Sequence, residues 1–259
     1  MAPLDPTPGA GLARRPLKLV HTSDVHIHSE AHGASRSFSS RELIAFSHII
    51  DELETQQAEL FLIAGDLFDS SRVAHAVIDY VLAELARAPC PVVLIPGNHD
   101  CHDDDSIYRR FDFRQAGSHV HPVLAEQGET LEFHELDATV WGRAMVDHDH
   151  ENRPLADIPP RRGNYWHIGV AHGHLVPDRS VLRSSLITSE EIGASGFDYL
   201  ALGHVHVFRE VSESATTAVY SGSPAPPHLP EGDWGSLAVV SLDAESGVTV
   251  LHEKLDPGT

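Results

Sequence analysis

The stretch that decides the fold is LFLIAGDLFD, residues 60–69. Its first five residues form an unbroken apolar run, which is typical of a strand buried on both faces. Gly65 and Asp66 follow directly, so a carboxylate stands where this strand ends. In parallel sheets, ligands bind beyond the carboxyl ends of the strands. The stretch therefore predicts a buried parallel strand that ends at a functional acid.

Strands and helices alternate on both sides of this stretch. Two further strands are predicted at 17–20 and 92–95. Helices are predicted at 42–54 and 73–86, because their apolar residues recur at i, i+3 and i+4 spacing. The resulting β-α-β-α-β order is typical of a mostly parallel sheet.

The pattern changes after residue 115, where turn residues separate short strands. The strand candidates in this region are 140–143, 167–171, 199–202, 218–221 and 236–241. They predict a second, partly antiparallel sheet that packs against the first. Residues 147–164 are rich in Pro and Arg and predict a surface loop. Residues 176–190 are similar, and we expect them to be a loop that borders the site.

Composition limits the classes of protein and of partner. The 259 residues contain no apolar run near the roughly 20 residues of a membrane span. We expect a cytoplasmic protein, with a disordered tail at 1–15 and one domain at 16–259. The 38 acids and 18 bases give a net charge of −20. This charge argues against non-specific duplex binding, although a local basic groove is compatible with it.

Five short motifs carry histidine, aspartate or asparagine at predicted strand ends. They are Asp24-Val25-His26, Gly65-Asp66, Gly97-Asn98-His99-Asp100, His172-Gly173-His174 and Gly203-His204-Val205-His206. Strand ends of one sheet edge lie together, so we expect these motifs to converge. Imidazole together with carboxylate suits Mn²⁺, Fe and Zn²⁺ alike. The motifs predict two adjacent divalent cations, and with them hydrolysis of phosphate esters.

The spacing of these residues suggests how two cations are shared. Because two nearby cations repel each other, a bridging carboxylate is the natural link, and Asp66 is the candidate. Asp24 and His26 are two residues apart at a strand end, so both side chains point to one ion. Asn98 offers a neutral carbonyl oxygen to the other ion. The two histidines of the last motif share the two-residue spacing, and each can bind a different ion.

In this order the five motifs resemble the calcineurin-like metallophosphoesterase superfamily, over residues 17 to 225. The resemblance implies an α/β fold, a four-layer α-β-β-α sandwich of two mixed β-sheets flanked by helices. It implies two divalent metal ions, with Mn²⁺ first and Fe or Zn as alternatives. The implied ligands of the first metal are Asp24, His26, Asp66 and His206. The implied ligands of the second metal are Asp66, Asn98, His172 and His204.

Three other residues of the motifs are candidates for catalysis or substrate binding. His99 adjoins a ligand, so we expect it to face the phosphate and to stabilise phosphoryl oxygens or protonate the leaving oxygen. Asp100 either holds the other ring nitrogen of His99 and fixes its tautomer, or is a turn or cap residue. His174 competes with His172 for the ligand position. Because His172 directly ends an apolar strand, we assign His174 to the substrate or to support of the ligands.

Three longer stretches point to one branch of the superfamily. HTSDVH at 21–26, GDLFD at 65–69 and YLALGHVH at 199–206, followed by YSGSP at 220–224, look like SbcD-type DNA-repair exonucleases. This branch is kin to the double-strand-break nuclease of archaea and eukaryotes. The resemblance implies a DNA substrate and an SMC-like ATPase partner. The chain departs from it at His28, where glycine is usual, and it leaves little room for a capping domain.

The predicted activity is hydrolysis of phosphodiester bonds by a hydroxide that bridges the two metals, in an SbcD-like exonuclease or phosphodiesterase. One alternative is a small-molecule phosphodiesterase, acting on cyclic nucleotides or other diesters, or a phosphomonoesterase. Another alternative is a non-catalytic metal-binding scaffold. Hydrolysis of a diester, a monoester and single-stranded DNA with Mn²⁺ distinguishes the three hypotheses.

Overall fold

Two six-stranded β-sheets pack face to face in the computed structural model. The structure describes residues 14–28, 40–177, 185–230 and 232–257. The predicted tail therefore lies outside the described residues except for Arg14 and Arg15, which are not part of a tail. The Arg14 guanidinium lies over the Trp166 ring at 3.6 Å. The Trp166 indole N–H donates to the Arg15 carbonyl oxygen at 2.8 Å.

The elements are numbered here in chain order. The strands are β1 Leu17–Thr22, β2 Leu60–Ala64, β3 Val92–Ile95, β4 Val120–Pro122, β5 Glu129–Phe133, β6 Ala138–Gly142, β7 Trp166–His172, β8 His174–Val176, β9 Leu186–Thr188, β10 Tyr199–Gly203, β11 Arg209–Glu210, β12 Thr217–Tyr220, β13 Ser236–Asp243 and β14 Gly247–Lys254. The helices are α1 Arg41–Thr55, α2 His75–Arg87, α3 Ile107–Arg110 and α4 Ser189–Ala194. Two short 3-10 turns occupy Phe113–Ala116 and His134–Leu136.

The first sheet has the order β14-β13-β1-β2-β3-β4. Strands β1 to β4 are parallel, as the β-α-β-α-β pattern predicts. Strand β13 pairs antiparallel with β1, with Leu19 opposite Val240. The sequence pattern placed 236–241 in the second sheet, and this was wrong. A strand that is apolar on both faces does not indicate which sheet it joins.

The second sheet has the order β11-β12-β10-β7-β6-β5. Strands β6, β7, β10 and β12 are parallel, and the edge strands β5 and β11 are antiparallel. This confirms a partly antiparallel second sheet. The fold is α/β with two mixed sheets, as predicted.

The stretch at 60–69 is apolar because β2 is covered on both faces. Leu60 and Leu62 point between the sheets and pack in one core cluster with Tyr199 of β10. Phe61 and Ile63 point the other way, into the cluster formed with α1 and α2. Helix α1 begins at Ser40, whose hydroxyl oxygen accepts the Leu43 N–H at 3.3 Å, a normal N-cap.

The outer layer over the second sheet is mostly irregular. The helix that the described residues form there, α4, has six residues and starts with a capping box between Thr188 and Glu191. The predicted loop 147–164 contains neither helix nor strand and buries Leu155 against this face. The predicted loop at 176–190 instead contains β9 and the start of α4, and residues 178–184 lie outside the described part. None of the described helices has the length and apolar character needed to cross a bilayer.

Candidate metal centre

The five motifs meet at one edge of the molecule, where the central strands of both sheets end. Strands β1, β2 and β3 carry the first three motifs, and β7 and β10 carry the last two. The structure places the predicted ligands in two adjoining groups, and Asp24 of the first group also lies within 4.8 Å of the ligand atoms of Asp66 and His172 in the second. The predicted convergence of segments that lie up to 180 residues apart is therefore present in the structure.

The first group consists of Asp24, His26 and His206, whose ligand atoms lie within 4.8 Å of one another. The two ring nitrogens Nε2 of His26 and His206 are 3.1 Å apart. An Asp24 carboxylate oxygen lies 3.6 Å from Nε2 of His206 and 3.9 Å from Nε2 of His26. Two imidazole nitrogens and a carboxylate oxygen facing one point is a geometry that suits one cation.

The second group contains Asp66, Asn98, His172 and His204. The Asn98 amide oxygen lies 3.0 Å from Nε2 of His172 and 2.8 Å from Nδ1 of His204. An Asp66 carboxylate oxygen lies 3.3 Å from Nε2 of His172. The same oxygen atom of Asp66 is 3.9 Å from Nε2 of His26 in the first group. Asp66 therefore lies between the two groups, at the position that a bridging carboxylate requires.

Three glycines let the strand ends approach this closely. A Cβ atom on Gly65 would overlap the His172 imidazole and lie 2.9 Å from the Gly97 Cα. A Cβ on Gly97 would overlap the Asp66 carboxylate. A Cβ on Gly203 would overlap the Ala64 carbonyl oxygen and lie 2.7 Å from Nδ1 of His172. Any side chain at these positions would push the ligand candidates apart.

Four of the ligand candidates have a positive φ, the region that L-residues rarely adopt. The angles are 54° for Asp24, 56° for His26, 52° for Asp66 and 100° for His204. Such conformations cost on the order of 1–3 kcal/mol each and cluster at functional sites. The backbone at the ends of β1, β2 and β10 is thus strained where the candidates project.

The electrostatics of the centre favour bound cations. Asp24 and Asp66 are 0% and 1% exposed, and buried carboxylates require compensation. Burial raises the pKa of Asp66, but the neighbouring His172 outweighs it and holds that pKa below its usual range. Burial lowers the pKa of His172, yet Asp66 raises it to about 10. The buried carboxylates of Asp24 and Asp66 therefore need positive charge beside them, which divalent cations would supply.

The imidazoles of His172 and His204 are suited to ligation in different ways. The His172 Nδ1–H donates to the Ala64 carbonyl oxygen at 2.8 Å, which points Nε2 at Asp66 and Asn98. Such a backbone partner is the usual means of orienting a ligand histidine. Burial lowers the pKa of His204 to about 4, so its ring is neutral at neutral pH and has a lone pair to offer.

His99 lies at the open side of the centre, with 44% of its side chain exposed. Its ring packs edge-on against His26 at 4.6 Å between centroids. Its Nδ1–H donates to the Asp69 carbonyl oxygen at 3.0 Å, and an Asp69 carboxylate oxygen lies 3.4 Å away. That same carboxylate oxygen is 3.4 Å from Nδ1 of His26. Asp69 therefore orients the His99 ring and lies beside that of His26, a role the sequence did not indicate for it.

Asp100 does not contact the His99 ring, so one of its two predicted roles is corrected. Its carboxylate is fully buried and accepts the Gly97 N–H at 2.7 Å and the Phe68 N–H at 3.1 Å. The Tyr108 hydroxyl also donates to it, at 2.8 Å. The chain turns so sharply after Gly97 that this carboxylate faces back into the turn. Asp100 is a turn residue that holds the third motif together.

A pair of buried serines, Ser23 and Ser221, lies next to Asp24, and the sequence did not indicate this pair. The Ser23 hydroxyl donates to the Asp24 carboxylate at 2.5 Å and lies 3.0 Å from the Ser221 hydroxyl. The His204 N–H donates to the same carboxylate at 3.0 Å. The His174 ring lies edge-on to that of His204, at 5.6 Å between centroids, and is exposed. The structure thus places His174 beside the second group.

The sequence comparison matches residues 17–208 to the calcineurin-like phosphoesterase family. The chain is 26% identical over 225 residues to the DNA double-strand break repair protein Mre11 of Methanopyrus kandleri, covering 81% of this chain and 49% of that protein. It is 26% identical over 218 residues to a probable cyclic nucleotide phosphodiesterase of a Pseudoalteromonas species, covering 78% of each. The chain spans 62% and 49% of the length of the first two curated relatives it matches.

The fold also matches solved structures. A dimetal phosphatase from Danio rerio superposes with a TM-score of 0.58 at 10% identity, over 93% of this chain and 97% of that one. At this identity the match concerns the fold alone. The family match covers well over half of the chain, and the clustered acids and histidines are candidate ligands for metal ions. The chain therefore belongs to the calcineurin-like phosphoesterase family, a family of metal-dependent hydrolases.

Proposed function

We propose that this protein is a two-metal phosphodiesterase of the SbcD type that cleaves DNA. The observation that carries the proposal is the position of the Asp66 carboxylate, between the imidazoles of His26 and His172 at 3.9 and 3.3 Å. Two cations that share one carboxylate can hold the attacking and the leaving oxygens of a phosphate ester.

The proposed ligands follow the two groups of side chains. Asp24, His26, Asp66 and His206 bind the first cation, and Asp66, Asn98, His172 and His204 bind the second. The contacts given above support this assignment, since each set converges on one point. The mixed oxygen and imidazole donors suit Mn²⁺, and Fe or Zn²⁺ are the alternatives.

Side chains around the proposed metal ligands would donate a proton, contact the substrate and hold Asp24 in place. The bound cations would supply positive charge and a water of lowered pKa. Asp69 occupies Nδ1 of His99, so the other ring nitrogen is available to protonate the leaving oxygen. Exposed His174, on the side of the second group, would contact the substrate. The buried Ser23 and the His204 N–H hold the Asp24 carboxylate in place.

Two relatives bear on the choice of substrate. The similarity to an archaeal break-repair protein supports DNA, but this chain spans only 49% of that protein. The similarity to a probable cyclic nucleotide phosphodiesterase covers 78% of both chains and supports a small diester as the second candidate. An SMC-like ATPase partner, a cytoplasmic location and a single domain at 16–259 stay predictions.

The proposal can be tested with a panel of substrates and purified protein loaded with Mn²⁺, Fe²⁺ or Zn²⁺. Elemental analysis measures how much metal the protein binds. The panel is single-stranded DNA, a 3′,5′-cyclic nucleotide, methyl p-nitrophenyl phosphate and p-nitrophenyl phosphate. We expect two metal ions per chain and cleavage of the DNA, with Asp66→Asn inactive. Turnover of the small diesters without DNA cleavage would favour the second candidate. If protein that binds two metal ions hydrolyses none of these substrates, the result would favour a non-catalytic metal-binding scaffold.

A further inference from the structure

A cavity of about 580 Å³ opens beside the candidate metal centre. His206 belongs both to the first ligand group and to the wall of this cavity. The Ser223 N–H donates to the His206 carbonyl oxygen at 3.1 Å, so the wall continues from the proposed ligand into the next turn. The volume lies within the roughly 300–1,000 Å³ of ligand pockets. A ligand in this cavity would therefore adjoin a phosphate group bound at the proposed metal centre.

Aromatic rings provide much of the cavity wall. The rings of Phe208 and His252 stack with 4.1 Å between centroids and 14° between their planes. Trp234 also lines the cavity and is half-buried. Flat rings of this kind bind nucleobases by stacking, which is tolerant of base identity.

The wall that carries Trp234 is held in place by one arginine of α1. The Arg41 guanidinium donates to the carbonyl oxygens of Pro226 and Leu229 at 3.3 and 3.2 Å, and also to that of Asp233. Its Cζ atom lies 5.4 Å from the Trp234 ring centroid, a cation–π contact on the face of that ring. The cavity is thus built before a ligand arrives, which reduces the entropy lost on binding.

Groups of both charge signs line the cavity. Lys254 contributes an ammonium group to the wall and His228 an imidazole, against the carboxylates of Asp233 and Asp256. Lys254 is the one lysine or arginine among the lining residues. An aromatic ligand that carries an anionic phosphate fits such a wall, because the rings can stack on the base and the Lys254 ammonium can contact the phosphate.

We propose that this cavity is a nucleoside subsite, which binds the base next to the phosphodiester bond that is cleaved. The inference rests on the proposed phosphodiesterase function and specifies its substrate as a nucleotide diester. Phe208 and Trp234 would contact the base, and Lys254 would contact the adjoining phosphate.

Kinetics with two matched substrates test the subsite. Thymidine 5′-(p-nitrophenyl phosphate) carries a base, and methyl p-nitrophenyl phosphate has the same leaving group without one. We expect wild type to prefer the thymidine ester in kcat/KM by at least about tenfold, since one stacked base contributes that much. Trp234→Leu and Lys254→Gln should each reduce this preference, mainly through KM. Tyr165→Leu, directly before β7 and at the end of this strand away from the metal centre, is the control and should keep the preference.

Binding without metal provides a second, independent measurement. Trp234 is half-buried, whereas Trp141 and Trp166 are 3% and 2% exposed. Thymidine 5′-monophosphate should therefore quench the fluorescence of the EDTA-treated protein saturably, and Trp234→Phe should abolish the quenching. Phe208→Ala should weaken the binding about tenfold.

The outcomes separate the subsite from the proposed function. Equal kcat/KM for the two diesters, or quenching that survives in Trp234→Phe, would overturn the subsite while leaving phosphodiesterase activity intact. Saturable quenching lost in Trp234→Phe, with neither diester hydrolysed, would support the nucleotide site and overturn the proposed function. Thermal unfolding of each variant shows whether it is folded, and Lys254→Gln changes only an exposed side chain.

Discussion

Replacing His99 with alanine should abolish most DNA cleavage without removing metal. The side chain is 44% exposed and its Nδ1–H donates to the Asp69 carbonyl oxygen, so its other nitrogen is free to face a substrate. The backbone N–H of His99 donates to Asp66 at 2.8 Å, and this bond survives the substitution. The proposed ligand set should therefore keep its geometry in His99→Ala.

The size of the loss depends on the leaving group. A positioned general acid contributes about 10²–10⁴-fold, which corresponds to roughly 3–5 kcal/mol of transition-state stabilisation. The leaving alkoxide of DNA is strongly basic and needs the proton. A p-nitrophenolate leaves without one, so the loss on methyl p-nitrophenyl phosphate should be less than about tenfold.

Single-turnover cleavage of a short oligonucleotide and of the nitrophenyl ester measures the two losses, and elemental analysis measures the metal content. His148→Ala removes an exposed histidine from the 147–164 loop and is the matched control. Equal losses on both substrates would refute proton donation by His99. Loss of metal in parallel with activity would show that His99 is a ligand or a structural residue.

Three further predictions concern stability and metal binding. His21→Leu removes a buried imidazole, and burial lowers its pKa from 6.5 to about 3. Between these pH values only the unfolded chain binds the proton, so the free energy of unfolding of wild type should fall with acid by about 1.4 kcal/mol per pH unit more than that of the variant. Urea unfolding at several pH values measures this, and equal slopes of the unfolding free energy against pH would contradict it. Gly203→Ala places a Cβ atom 2.7 Å from Nδ1 of His172, so we expect a free energy of unfolding about 1–3 kcal/mol lower and a reduced metal content. Full metal occupancy in this variant would show that the strand ends can move apart without loss of the site. Mn²⁺ at 100 times its Kd should stabilise the protein by about 2.7 kcal/mol, which corresponds to a Tm increase of about 5–10 °C in calorimetry. Asp66→Asn should lose this increase, and a wild-type Tm that does not change with Mn²⁺ would argue against ion binding.

The parallel core of the fold could be predicted from periodicity. Helical spacing placed α1 and α2 within two residues of their ends, and the apolar run at Leu60–Ala64 marked β2. Periodicity is a local property, so it could not show that β13 crosses over to pair with β1. It also missed β9 and α4, because their polar flanks resemble a loop and a six-residue helix is too short to show a period.

The site could be predicted where residue chemistry and strand ends coincide. Asp66 and the other candidate ligands stand at or shortly after the ends of predicted strands, which is why their convergence could be expected. Asp69 could not be recognised, because its role depends on contacts with two rings from other motifs. Ser23 was missed for the same reason, since its partner Ser221 is 198 residues away. Asp100 was assigned two possible roles because sequence adjacency to His99 does not show which way a carboxylate points.

The backbone explains why so little of the ligand geometry is visible in the sequence. Nine non-glycine residues in the described part have a positive φ, and four of them are Asp24, His26, Asp66 and His204. Nothing in the strand pattern requires these conformations, and each one is unfavourable for the isolated chain. The sheets on either side supply the compensation, because β1, β2 and β10 are wholly or almost wholly buried. A rigid pair of sheets can thus hold strained strand ends at fixed positions before any ion binds, and this preorganisation is what a two-metal centre requires of its protein.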